Sequence, residues 1–200
     1  MNAGRDDEIV VVMGDPMAAA PRLMTIDDYF ATPESLAPTE LAFGALRVAD
    51  SPSARHQSVV RDLLIALDRH VRDRKLGRMW LSPLDVVLDA EKALVVQPDL
   101  MFISNERSAI VSDRVRGAPD LMLEVLSPHL RVGQVAEHLE WFARYGVREC
   151  WHVHRDDKRV SVIRFDRGKV RSRHIVGADQ PIPSEVLPDF GLSLREILER

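Results

Sequence analysis

Two carboxylates interrupt segments that otherwise read as apolar strands. Asp99 falls in Gln97-Pro98-Asp99-Leu100, ahead of Met101-Phe102-Ile103, and is expected mid-strand. Glu124 falls in Leu121-Met122-Leu123-Glu124-Val125-Leu126, near a strand end. An unpaired charge is expensive to take out of water, so a carboxylate in a buried strand needs a partner. Two such acids on neighbouring strands commonly share a hard cation such as Mg2+. The bland alternatives are an arginine partner, or a half-exposed sheet on which one or both acids face water.

The elements that would position these acids follow from periodicity and punctuation. Residues 1–24 show no sustained period and read as a loose leader, with a short strand at Ile9–Met13. Thr25 followed by Asp27 and Asp28 predicts a capped short helix, closed by Pro33 and Pro38. Leu41–Phe43 and Ala45–Ala49 flank Gly44 as a small hairpin. Val59, Val60, Leu63, Leu64, Leu67 and Val71 recur at three and four, which predicts an amphipathic helix from about Ala54 to Lys75. Met79–Leu88 and Ala93–Ser104 then read as a hairpin of two long strands around Asp89–Lys92. A polar connector, a strand at Asp120–Ser127, a helix at Val132–Tyr145 and a strand at Val147–His154 complete the core. A hairpin turning at Asp166-Arg167-Gly168 and a short helix from Ser193 follow. The order argues an α/β fold: a central mixed β-sheet flanked by helices, with an added hairpin, as one domain over 25–200.

Composition bounds the function. The 200 residues carry 27 basic and 31 acidic side chains, a net charge of −4, so this is not a strongly basic nucleic-acid binder, although a local basic surface stays open. Only four of the basic residues are lysines: Lys75, Lys92, Lys158 and Lys169. The single cysteine, Cys150, excludes an intramolecular disulfide and a Cys-cluster zinc site, and points to a reducing, cytoplasmic setting. No apolar run approaches the roughly 18–20 residues of a membrane span, and the N-terminus lacks the basic start of a signal peptide. Neither a G-x-G-x-x-G nor a Walker pattern occurs. His152 and His154 alternate on one strand face with no further metal ligand evident, and read as a polar sheet face. Trp141 and Tyr145 read as exposed on the second helix, where they could serve a dimer interface. Arg107, Arg114, Arg116 and Arg131 could meet a phosphate backbone or simply solvate a loop.

The blocks TELAFGALRVADSPSARHQ, SPLDVVLD, QPDLMFIS, APDLMLEVLSP and YGVRECWHV, in that order, resemble the Uma-two family of endonucleases. The family is restriction-endonuclease-like and belongs to the PD-(D/E)XK superfamily. The likeness runs from about Met24 to about Leu198. It implies a restriction-endonuclease-like core that hydrolyses phosphodiester bonds in DNA with Mg2+ or Mn2+, often as a homodimer. By the same resemblance Asp99 and Glu124 are the principal metal ligands, Asp85 a further acid at the metal, and Glu40 an acid ahead of the long helix. His56 matches a histidine at that point in relatives and could approach the site from the helix N-terminus; helix capping or a surface hydrogen bond is its plainer role.

The chain departs from the pattern at one place. No lysine stands two residues after Glu124; in the family it appears on the following helix, where this chain has His138, with Gln134 four residues earlier. Three readings of His138 stay open. It works in place of the lysine, as a base or as an imidazolium held by Glu124. It marks a catalytically degenerate nuclease-fold protein that binds nucleic acid or a protein. Or it faces solvent. An unrelated metal-using α/β hydrolase is the weakest alternative.

Overall fold

The computed structural model describes residues 23–33, 37–126 and 132–199; the strand expected at Ile9–Met13 lies outside them. Helix α1 (Ile26–Phe30) starts at a reciprocal cap, in which Thr25 Oγ1 accepts from Asp28 N and Asp28 Oδ2 accepts from Thr25 N. Strands β1 (Thr39–Ala42) and β2 (Ala45–Val48) turn on Phe43 and Gly44, both at positive φ (50° and 84°), the geometry that matches strand twist in a two-residue hairpin. A Cβ on Gly44 would stand 2.9 Å from Leu23 Cβ and from the Met24 carbonyl, so this turn takes glycine. Helix α2 (Ala54–Asp73) is capped by Ser53, whose Oγ accepts from His56 N at 3.2 Å. Its buried stripe is Val59, Val60, Leu63, Ala66, Leu67 and Val71, as the periodicity requires.

Each of the two long runs expected next is two strands, not one. They are β3 (Gly77–Leu81) with β4 (Val86–Asp89), and β5 (Leu94–Val96) with β6 (Leu100–Ser104). Pro83 and Pro98 fall in the breaks, where a residue without an N–H cannot carry a ladder on. The inner halves, β4 and β5, form the antiparallel hairpin around Asp89–Lys92. The outer halves, β3 and β6, pair in a different sheet. Asp99 therefore stands in the break just before β6, and not mid-strand.

After a short 3-10 turn (Asn105–Ile110) come β7 (Val115–Arg116), β8 (Leu121–Leu126), α3 (Val132–Tyr145), β9 (Glu149–His154), β10 (Arg159–Asp166), β11 (Lys169–Gly177) and α4 (Leu194–Leu198). The six-stranded sheet runs β11-β10-β9-β8-β6-β3 and is mixed, with β8 and β9 parallel. This is the central mixed sheet with an added hairpin, β10–β11. A second, five-stranded sheet, β2-β1-β5-β4-β7, accompanies it.

Alternation along the strands sorts the core. Leu100, Phe102, Leu121, Leu123 and Val125 pack on one face with the α2 stripe, α4 and Phe190. Met101, Ile103 and Met122 pack on the other with Leu139, Trp141 and Phe142 of α3 and with Val86, Leu94 and Val96 of the second sheet. Tyr29 covers the far side of that sheet against Leu41, Val87 and Val95. No described helix is long and apolar enough to cross a membrane. Cys150 is buried and packed.

Helix α3 is tied at its end to the β4–β5 hairpin. Asp89 accepts from Lys92 Nζ at 2.8 Å, from Lys92 N at 3.0 Å and from Tyr145 Oη at 2.9 Å. The hydrogen bond from Lys92 leads in holding the Asp89 carboxyl down at about 2. A carboxylate with a depressed folded pKa stabilises the fold above its unfolded value, and the contribution is lost as pH falls through the folded one. Asp89→Asn should therefore lower Tm at pH 6 and leave it nearly unchanged at pH 2. An equal deficit at both pH values in thermal melts would refute this role.

Candidate active site

One imidazole joins the two sheets. His138, on α3, places Nδ1 2.8 Å from Glu124 Oε1 on β8 and Nε2 3.1 Å from Glu40 Oε2 on β1. A neutral imidazole has one N–H, so it cannot donate to two carboxylates; this geometry calls for the doubly protonated cation. Burial pulls His138 toward neutrality, but the Glu124 and Glu40 carboxylates outweigh it and push its pKa up to about 10. Burial likewise raises Glu124, and His138 and His152 overcome it and hold that carboxyl far below its usual range. The three side chains are only 13%, 14% and 19% exposed for His138, Glu124 and Glu40. His138 also stacks obliquely on Trp141 and Phe142, which fix its ring.

Asp99 stands at the adjoining strand end. Leu100 pairs with Leu123 across β6 and β8, and continuing that register one step sets Asp99 opposite Glu124. Asp99 Oδ2 accepts from Val125 N at 2.7 Å, which pins the carboxylate to the strand that carries Glu124. Its other oxygen meets His56 Nε2 at 3.0 Å, from the first turn of α2. So Glu124, Glu40 and His138 meet at one junction of β1, β8 and α3, and Asp99 stands beside it ahead of β6, bonded to Val125 N and to His56 of α2.

Asp85 lies one step away. Its Oδ1 accepts from Tyr29 Oη and from Gln97 Nε2, both at 2.9 Å, and its Oδ2 from Arg114 Nε at 3.3 Å. Gln97 links it to the junction: its Oε1 accepts from Thr39 N at 3.1 Å, and its backbone N donates to Glu40 Oε1 at 3.4 Å. Arg114 in turn lies 4.0 Å over the Phe30 ring. Asp85 thus braces α1, β1 and the β7 loop around the site.

Other readings of the sequence are revised. Trp141 is 7% exposed, packed against Phe43 and His138, and Tyr145 is spent on Asp89, so neither is the open apolar surface expected for a dimer contact. Arg107 donates to the Ala118 and Gly146 carbonyls, and Arg116 lies near Asp113; Arg131 lies outside the described residues. His152 is 3% exposed and not on a polar face; its Nε2 lies 3.5 Å from Glu124 Oε2 without a hydrogen bond. The structure gives His56, at the start of α2, its partner in Asp99, and gives Gln97 a bridging role that the sequence does not name. Gln97-Pro98-Asp99 was the available signal, a polar pair at a proline break.

Asp120 and Glu149 show what a purely structural buried acid looks like here. Asp120 accepts from Ser104 N and Arg148, and Glu149 from Trp151 Nε1, Ser184 Oγ and Glu185 N. The junction acids differ: Asp99 turns to His56 of α2, Glu124 and Glu40 turn to His138 of α3, and all three stay partly open to solvent. Among the described residues no three His, Cys, Asp or Glu side chains converge as a ready ligand shell. Asp99 and Glu124 stand on neighbouring strand ends, each partly open, and carboxylate oxygens are the donors that suit a cation keeping several waters, as Mg2+ does.

A family model described as "Putative restriction endonuclease", Uma2, matches residues 26–195. Among solved structures, the chain is similar to the crystal structure of a "putative nuclease belonging to DUF820" from Anabaena variabilis ATCC 29413. The TM-score is 0.72 at 18% identity, over 88% of this chain and 98% of that one. At that identity the likeness speaks for the fold alone. No curated protein matches the sequence.

Removing the shared imidazole should be costly, because it strands two largely buried carboxylates. His138→Ala is expected to lose about 3 kcal/mol or more of stability, the usual penalty for breaking a buried ion pair. Urea denaturation at pH 7 measures it; a loss below about 1 kcal/mol would mean that water already satisfies Glu40 and Glu124.

Proposed function

Since the chain belongs to the Uma2 family, we propose that it is a cation-dependent endonuclease that hydrolyses phosphodiester bonds in DNA. The observation that carries this reading is the clasp of Glu124 and Glu40 on His138, with Asp99 hydrogen-bonded to Val125 N, the residue next to Glu124. Asp99 and Glu124 would hold Mg2+ or Mn2+, with Asp85 behind them as a brace. Such a cation polarises a phosphoryl oxygen and lowers the pKa of an attacking water. DNA as the polymer, a pair of chains as the working unit and a cytoplasmic setting are carried by the resemblance and the composition, and belong to the same reading.

His138 takes the part of the family's helix lysine as a fixed charge. With both ring nitrogens facing carboxylates it holds its protons at Nδ1 and Nε2, so it is a cation and not a proton acceptor. Its positive charge beside Glu124 offsets the acids and favours an approaching phosphodiester. Glu40 orients the ring from the opposite sheet. Val125 N orients Asp99.

One observation favours a second reading. Both His138 N–H groups are consumed by Glu124 and Glu40, which leaves none to face a phosphate oxygen, whereas a lysine has three donors. On that reading the chain is a catalytically degenerate nuclease-fold protein that binds nucleic acid or a protein.

Supercoiled plasmid cleavage with Mg2+ or Mn2+ separates the two. The wild type is expected to nick or linearise plasmid, and Asp99→Ala and Glu124→Ala to lower the rate by about a hundredfold or more, because the cation stabilises the transition state by several kcal/mol. A wild type that neither cleaves nor binds either ion in calorimetry would sink the catalytic reading. An inactive wild type that gains cleavage in His138→Lys would establish the degenerate one.

A further inference from the structure

We propose that His56 is a positioning residue that holds Asp99 in place for the cation. The inference rests on the endonuclease reading and goes beyond it, since His56 is neither an acid of the motif nor a ligand. The geometry is specific. Asp99 has one oxygen on Val125 N at 2.7 Å and the other on His56 Nε2 at 3.0 Å. The first bond ties the carboxylate to β8, and the second to the start of α2. A carboxylate held at both oxygens has lost its rotation before any cation arrives, and that preorganisation strengthens binding.

The bond has little to do with keeping α2 on the sheet. That helix is anchored by Val59, Val60, Leu63, Leu67 and Val71, all buried, and its start is capped by Ser53. His56 and Asp99 are 14% and 25% exposed, so the pair sits at the mouth of the site, where water would otherwise solvate Asp99 and let it swing. Asp120 and Glu149 are fully buried among several donors, whereas Asp99 is partly open and has Val125 N and His56 to hold it. A carboxylate oxygen only accepts, so the hydrogen bond to Asp99 uses the Nε2–H of His56. His56 touches neither the water nor the phosphate in this scheme; it acts through Asp99.

Calorimetric titration with Mn2+ alone, without nucleic acid, tests the assignment on the full chain. Gln carries an amide nitrogen near the place of Nε2, whereas Asn is shorter by one carbon and falls short of Asp99. His56→Ala and His56→Asn are therefore expected to weaken Mn2+ binding by about tenfold or more, the usual effect of losing a group that orients a ligand. His56→Gln should keep affinity within about threefold of wild type by the same scale. In cleavage assays the Ala and Asn variants should need more Mn2+ for half-maximal rate and approach the wild-type rate at saturation. A purely structural role would lower Tm in all three variants without separating Asn from Gln. Equal Mn2+ affinity in the Asn and Gln variants overturns the proposal, even if the Ala variant does not fold. Wild-type affinity in His56→Ala, with binding lost in Asp99→Ala, overturns it as well and leaves the endonuclease reading standing. A wild type that binds no Mn2+ removes both.

Discussion

A carboxylate withdrawn from water must meet a donor, and in this fold two carboxylates from different sheets meet the same ring. Glu40 belongs to the five-stranded sheet, Glu124 to the six-stranded sheet, and His138 to the helix packed between them. The ring nitrogens point in opposite directions, so a single side chain spans the gap. Its cationic state is required by the contacts themselves, and burial alone would have forbidden it. The rest of the site is arranged around this clasp: Trp141 and Phe142 set the ring, Gln97 supports Glu40 from behind, and Val125 carries Asp99 beside Glu124.

The acids sit where the chain changes sheets. Pro83 and Pro98 end one ladder each, and Asp85 and Asp99 follow within two residues. A strand interior spends its backbone on its neighbours and presents side chains to a packed face. A break between two ladders leaves side chains room to turn toward one another and leaves a backbone N–H, such as that of Val125, for a carboxylate to accept from. That is why polar groups accumulate here in a molecule whose strands are otherwise apolar. Asp85 and Asp99 end up in different company as a result. Asp85 is enclosed by Tyr29, Gln97 and Arg114, while Asp99 keeps contact with solvent.

Much of this was legible in the residues. The α2 stripe, the Thr25 and Ser193 caps and the Gly44 turn announced themselves, because each depends on local chemistry. Glu124 stood out as a charge in an apolar strand. The second sheet did not, because β3 with β4 and β5 with β6 look continuous to a hydrophobicity pattern, and only the prolines mark the seams. Glu40 drew attention through the family likeness alone, since nothing in Thr39-Glu40-Leu41 separates it from a surface acid. His56 and His152 were under-read for a shared reason. A histidine in a first helical turn or on a strand looks like a cap or a polar face until the long-range partner is known. Trp141 reads as exposed in the sequence because the neighbour that covers it, Phe43, lies far away along the chain.

Helix α3 is held by Leu139, Phe142 and Ala143 in the core and by Tyr145 on Asp89, none of which touches the acids of the junction. Scaffold and reagent are thereby assigned to different residues of one short helix. A lineage can therefore trade one cation for another at position 138 while the surrounding architecture persists, an evolutionary latitude that ends at charge, because an uncharged side chain there would strand Glu40 and Glu124.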